Sequence, residues 1–212
     1  MPTPEDYKEA RRLAIHAVRM RDLKICCHNA DLDFQKISEQ EQQATIPYLG
    51  REYLLRFSEE TIAFEPEDSL SIPDQVLLLH YLVEATGDPL ENRWISFREI
   101  PSGPFYYPSF VKRAVTPLVK ALGHCPEAFE GVARSLGRAE RTPGDAALRV
   151  EALPRIPIVL SLWRGDEEFP ADGNVYFDAS ISSYLGTEDI AYVAGATVYR
   201  VLTIARNAVK GR

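Results

Sequence analysis

Apolar positions recur along this chain with two different periods, and the changes of period mark its elements. Tyr7, Ala10, Ala14, Ala17 and Val18 return at helical spacing and leave Arg11, Arg12, Arg19 and Arg21 outside, which predicts a first helix ending near Arg21. Thr3 stands at the N-cap position, Pro4 fits the first turn, and Glu5 and Asp6 suit the positive end of the helix. Residues 22–68 read as strands and loops. Leu23 to Cys27 is a short strand candidate, and residues 35–45, polar and rich in Gln and Glu, read as a loop. Tyr48 to Phe57 then turns at Ser58-Glu59-Glu60 into Thr61 to Phe64, a hairpin. Ser71-Ile72-Pro73-Asp74 opens a helix with Val76, Leu79, His80 and Val83 on one face, and Gly87-Asp88-Pro89 stops it. Trp94 to Phe97 is the next strand candidate.

Pro101-Ser102-Gly103-Pro104 reads as a loop that carries Phe105, Tyr106 and Tyr107. Phe110 to Leu122 is helical in pattern, kinked or split at Pro117, and Gly123 ends it. A short helix from Pro126 to Leu136 closes at Gly137, and Arg138 to Asp145 reads as a surface loop. Ala147 to Leu153 alternates as a strand. Pro157 to Trp163 is almost wholly apolar, the pattern of a central strand buried on both sides. Gly165 to Gly173 is an acidic turn, Asn174 to Phe177 another strand, and Thr187 with Glu188 and Asp189 caps a last helix to about Val209. Helices and strands do not alternate as in a doubly wound domain. The expectation is an α+β fold, a mostly antiparallel or mixed sheet covered by helices, the 73–86 and C-terminal helices among them, in one globular domain over residues 1–212.

Composition narrows the partners. The formal net charge is −7 and the pI near 5.2, and the arginines are mostly interleaved with acids, which argues against nucleic acid. The densest basic group, Arg11, Arg12, Arg19 and Arg21, fits the solvated face of the first helix. Three cysteines cannot all pair, and adjacent Cys26 and Cys27 would point apart in a strand, so a reducing, cytoplasmic compartment is expected. The first residues have no charged-then-apolar signal pattern, and no apolar run approaches the roughly 20 residues of a bilayer span, so no membrane is expected.

Several segments taken together carry a resemblance. They are Tyr48-Leu49-Gly50-Arg51-Glu52-Tyr53, Leu78-Leu79-His80-Tyr81-Leu82, Trp94 to Pro101, Phe110 with the Pro117-Leu118 helix, Leu162 to Pro170, Phe177-Asp178, and Tyr184 to Asp189. In that order and spacing, over residues 5–205, they resemble the family called domain of unknown function 3786. The resemblance implies a protein of anaerobic bacteria or archaea, some of whose relatives carry an added cysteine-rich iron–sulfur domain. That association implies redox or corrinoid metabolism by analogy, with a corrinoid or iron–sulfur protein as partner. This chain lacks the spaced four-cysteine run, so no iron–sulfur cluster is expected in it.

The residues offer several candidate sites. Asp166, Glu167 and Glu168, with Asp178 and Asp172 further on, could gather around a divalent metal, or one could act as a general base; the plainer reading is an acidic turn facing water. His80 could ligate a metal, a haem or a corrinoid, or be a satisfied core residue. His124 and Cys125 follow a helix end, and Cys26-Cys27-His28 is the densest set of soft ligands, although zinc sites favour cysteines further apart. Phe105, Tyr106 and Tyr107 could stack on a planar ligand or a partner protein, or form a lid over the core, with Arg98 on the ligand's carboxylate or phosphate; Trp94 and Trp163 join the candidate ligand-binding residues, Trp163 with Phe169 also walling the acidic turn. No phosphate-cradling glycine motif, nucleophile elbow or His-Glu-x-x-His is present. Three readings remain: a non-catalytic accessory protein that holds a tetrapyrrole (haem or corrinoid) or docks on a protein that does, a small metal-assisted enzyme built on the acidic turn, and a structural protein–protein module.

Overall fold

The strands are divided between two antiparallel sheets, and the chain order of the elements explains why. The computed structural model describes residues 3–66, 70–140 and 144–210, the last three by backbone alone. The contacts fall into two compact units, Met1–Pro89 with Ser183–Leu185, and Leu90–Ser182 with Gly186–Arg212. The α+β class holds, and among the described residues every strand pairing is antiparallel.

In the first unit, α1 (Pro4–Arg19) begins at the predicted cap, where the Asp6 N–H donates to the Thr3 hydroxyl and the Asp6 carboxylate accepts from the Thr3 N–H. It ends two residues earlier than expected. Leu23–Asn29 is a helix, α2, and not a strand: Asp22 caps it by accepting from the N–H groups of Lys24 and Ile25, and Leu23, Cys26 and Cys27 then share one buried face. The expected loop at 35–45 is also corrected. β1 (Asp33–Lys36) and β2 (Glu41–Tyr48) form a hairpin there, and the meander continues through β3 (Arg51–Ser58) and β4 (Ile62–Glu65). Its inward face follows the strand period, with Ala44 opposite Leu55, Ile46 opposite Tyr53, and Leu55 opposite Phe64. Leu49 and Gly50, both at positive φ (50° and 74°), make the two-residue turn between β2 and β3. α3 (Ile72–Glu84) is capped by Ser71 as predicted and is buried nearly all round. Polar tips tie it down: Tyr48 donates to Asp74, Arg11 to Gln75, and Tyr81 to the Ala30 carbonyl at the end of α2.

The second unit has the sheet order β5-β9-β8-β7-β6. β5 spans Trp94–Ser96, β6 Gly137–Ala139, β7 Ala146–Leu153, β8 Ile156–Trp163 and β9 Asp172–Asp178. β8 is central, and every position from Ile156 to Leu162 is buried, as its apolar run predicted. β6 takes part of the expected 138–145 loop, and residues 141–143 of that loop lie outside the described residues. α7 (Thr187–Lys210) buries Ile190, Val193, Ala194, Val198, Val201 and Leu202 at helical spacing and packs along β7 and β8. The Thr187 hydroxyl donates to the Pro101 carbonyl.

Pro101 to Tyr107 is the largest correction. After a turn at Ser102 (φ 58°), α4 (Gly103–Phe110) starts at once, so Phe105, Tyr106 and Tyr107 lie on a helix and not on a loop. Pro104 occupies the first turn, where its missing N–H leaves nothing unpaired. The backbone stays helical through a π-helical turn at Val111–Val115 into α5 (Thr116–Leu122). The Thr116 N–H reaches back to the Val111 carbonyl in the turn just before Pro117, the residue predicted to disturb this helix. α6 (Ala128–Ala133) follows.

Candidate functional site

The aromatic surface of the second unit is built outward from its core. Phe97 and Phe110, both fully buried, stack in parallel with centroids 4.2 Å apart, and Phe177 of β9 packs against both at 6.2 and 6.1 Å. Phe97 opens a short 3-10 turn, Phe97–Glu99, that follows β5. The Glu99 carboxylate caps this turn by accepting from the Ser96 N–H and hydroxyl at 2.7 and 2.8 Å, and these bonds hold Glu99 below the usual carboxylate range. Gly103 abuts the same turn so closely that a Cβ would lie 2.0 Å from the Phe97 carbonyl oxygen. The start of α4 is thereby fixed against Phe97, which sets Arg98 beside the first turns of the helix.

The Arg98 guanidinium carbon sits 3.9 Å from the centroid of the Tyr107 ring, a close cation–π contact. Tyr107 leans on Phe110 at 6.0 Å, so the pair is backed by the core. Phe105 projects into solvent with 81% of its surface exposed, and the half-buried Tyr106 meets it edge-on at 5.2 Å. The structure therefore brings together Arg98, Phe105, Tyr106 and Tyr107 of the predicted segment.

The other candidates lie elsewhere. The half-buried Trp94 is covered by the Arg149 guanidinium at 5.3 Å, which also bonds Glu151 at 2.7 Å. Trp163 is half-buried at the end of β8, opposite Asp172. His124 is exposed just after α5, where its carbonyl accepts from Arg164 at 3.3 Å. At about 1.5 Å per residue, the helical run from Phe105 to Gly123 spans about 27 Å. The acidic turn packs at that far end, with Ala171 against Gly123 and Gly165. A site shared by the aromatic surface, His124 and the acidic turn is excluded.

The four carboxylates proposed for a metal also separate. Asp166 is exposed and closes its own turn by accepting from the N–H groups of Glu168 and Phe169 at 2.9 and 2.7 Å, which lowers its pKa. Glu167 and Glu168 are exposed beside it. Asp178 stands at the opposite end of β9 from that turn, about 20 Å of strand away. It is 2% exposed and accepts four hydrogen bonds, from the N–H groups of Glu91, Asn92 and Ser180 and from the Ser180 hydroxyl, at 2.7–3.0 Å. Burial alone would raise its pKa, and the hydrogen bonds outweigh that and hold it low. Asp178 organises backbone and does not join the turn.

In the first unit, His80 is half-buried on α3, with a ring nitrogen within 4.8 Å of a Glu84 carboxylate oxygen one turn on. Helical spacing could have flagged that neighbour in the sequence. Cys26 and Cys27 are buried thiols; burial raises the first and pushes the second up to about 12, so neither is a thiolate at neutral pH. Cys125 is exposed. No helix of the described residues is long and apolar enough to cross a membrane.

No curated protein and no solved structure matches the chain. The model of the domain of unknown function DUF3786 matches residues 22–200, and the chain belongs to that family.

Proposed function

We propose that this protein is a non-catalytic binding or accessory protein, and that the ring surface of α4 takes a planar ligand, a haem or a corrinoid, or docks on a protein that carries one. The observation that carries the reading is Phe105, a large apolar ring held in water on a helix whose start is locked to the core. Such a ring offers stacking area without a large ordering cost, and the Arg98–Tyr107 pair beside it supplies a cation for a propionate or phosphate substituent. The choice of a tetrapyrrole among planar ligands follows the redox association implied by the family resemblance. Two acids of the neighbouring segments are already occupied, Glu99 by the Ser96 N–H and hydroxyl and Asp178 by backbone N–H groups and the Ser180 hydroxyl.

The test is an anaerobic absorption titration of the purified protein with haemin and, separately, with hydroxocobalamin. A saturable spectral change is expected, weakened about tenfold or more by Phe105→Ala combined with Arg98→Ala. His124→Ala is expected to leave it unchanged, because His124 lies at the far end of the α4–α5 run. A flat spectrum with both ligands, or a change indifferent to the double substitution, would overturn the reading.

A further inference from the structure

We infer that the exposed face of the helical run from α4 to α5 docks an acidic, extended segment of a partner protein through Lys112 and Lys120. The chain carries 31 acids, yet no Asp or Glu falls between Glu99 and Glu127, and that stretch holds Lys112, Arg113 and Lys120. Lys112 and Lys120 are exposed, and Arg113 is half-buried against Gly195 of α7. Every residue of the run is described, and among the described residues no ion pair or hydrogen bond engages any of these three side chains. The flanking acids stand at the ends of the run. Glu99 is taken up by Ser96 and Glu127 by Arg164, and Glu188 follows Thr187, which bonds Pro101 before α4 begins. Two ammonium groups are left open to solvent on the middle of a helix, in a protein whose net charge is −7.

The π-helical turn aligns the two lysines. In an unbroken α-helix, a step of eight residues ends about 80° away from the starting face. A π turn closes one residue later than an α turn, so the step from Lys112 through Val115 to Lys120 counts as about seven residues, close to two full turns. Lys112 and Lys120 therefore share a face about 10–12 Å apart, while Ala114 and Leu118 turn to the core. An extended chain advances about 3.3 Å per residue with alternate side chains on one face. Acids at three alternate positions then span about 13 Å, and the flexible lysine stems absorb the difference. A nucleic acid fits worse, because its phosphates continue past Lys120 toward the acidic turn, which packs on Gly123 through Ala171. The face uses none of Arg98, Phe105, Tyr106 and Tyr107, so this proposal and the preceding one fail separately.

The experiment uses the full chain and fluorescence anisotropy at low ionic strength with a labelled acetyl-Ser-Glu-Val-Glu-Val-Glu-Ser amide. Its glutamate-to-lysine counterpart and a short labelled oligodeoxythymidylate serve as controls. The glutamate peptide is expected to bind saturably and the two controls not at all. Lys112→Glu and Lys120→Glu are each expected to weaken binding by about tenfold or more, since attraction becomes like-charge repulsion. Lys24→Glu, an equal charge change on exposed α2, is expected to change affinity by less than about twofold. Lys120→Ala combined with Ala121→Lys keeps the charge and turns it about 100° round the helix. That pair is expected to cost about threefold or more in affinity. Circular dichroism melts establish that each variant is folded. Absence of binding by the glutamate peptide would overturn the proposal, as would tighter binding of the oligonucleotide. So would an equal loss in Lys24→Glu, which indicates a response to net charge alone, or indifference to the shifted lysine, which indicates that the alignment is not used.

Discussion

Four hydrogen bonds converge on the Asp178 carboxylate, and its pKa in the folded state lies below its ordinary value although burial alone would raise it. A lowered carboxylate pKa contributes stability that is present above the unfolded value, about 3.9, and is lost as pH falls through the folded one. Asp178→Asn keeps the shape but places an NH2 group among four donors. The variant is expected to lose about 3 kcal/mol at pH 7 in a urea melt. The gap between the two melts is expected to narrow as pH drops below about 4; a gap constant to lower pH would contradict the ionised, saturated carboxylate described above. Cysteine reactivity gives a second residue-scale test. Cys125 is exposed while Cys26 and Cys27 are buried and protonated. One thiol is expected to react quickly with a disulfide reagent in the native protein and three in guanidinium; two or three quick thiols without denaturant would refute the burial of α2. From the sequence, Asp178 looked like a metal ligand because its type and its position near acids were visible. The donors that occupy it were not, since Glu91 and Asn92 lie far back in the chain and meet it only through the pairing of β5 with β9.

At the scale of elements, the position of α4 depends on one small residue. Gly103→Ala would place a methyl group 2.0 Å from the Phe97 carbonyl oxygen, so the helix start must shift. The expected cost is about 1–3 kcal/mol by thermal melt, with a change in near-ultraviolet circular dichroism from the displaced rings. An unchanged spectrum and melt would show that α4 is not clamped there. Elements whose own residues decide them were legible: β8 from its unbroken apolar run, α1 from Thr3, Pro4 and the acids of its first turn, α3 from Ser71, and α7 from Thr187 and the acids that follow it. The misread ones are those in which local signals compete. Leu23, Cys26 and Cys27 are too few to separate a helix from a strand, and Asp22 decided it as a cap. The β1–β2 hairpin turns much of its polar surface to water, so it lacks the strand's usual apolar alternation until Ala44. Pro104 and Pro108 suggested a loop, whereas the first fits a helix start and the second costs the helix a single donor. The Arg98–Tyr107 contact follows from that helix, and could not be read from residues assigned to a loop.

At the scale of the whole molecule, the two units are not successive stretches of chain. Ser183–Leu185 return to the first unit after the second has been laid down through Ser182. The return places Tyr184, fully buried, with its ring 6.1 Å from that of Tyr81 and its hydroxyl donating to the Asp88 carbonyl. Tyr184→Ala is expected to destabilise the protein by about 3–5 kcal/mol in a denaturant melt, a core-ring deletion although the residue lies in a short connection. A loss under about 1 kcal/mol would mean that the returning segment is not part of that core. During synthesis, the chain has released residue 89 long before residue 185 follows it, and at about 5–20 residues per second the interval is on the order of 5–20 s. Throughout that time the nascent first unit lacks a ring its core is built around, so its completion is tied to the clock of the ribosome as well as to its own sequence.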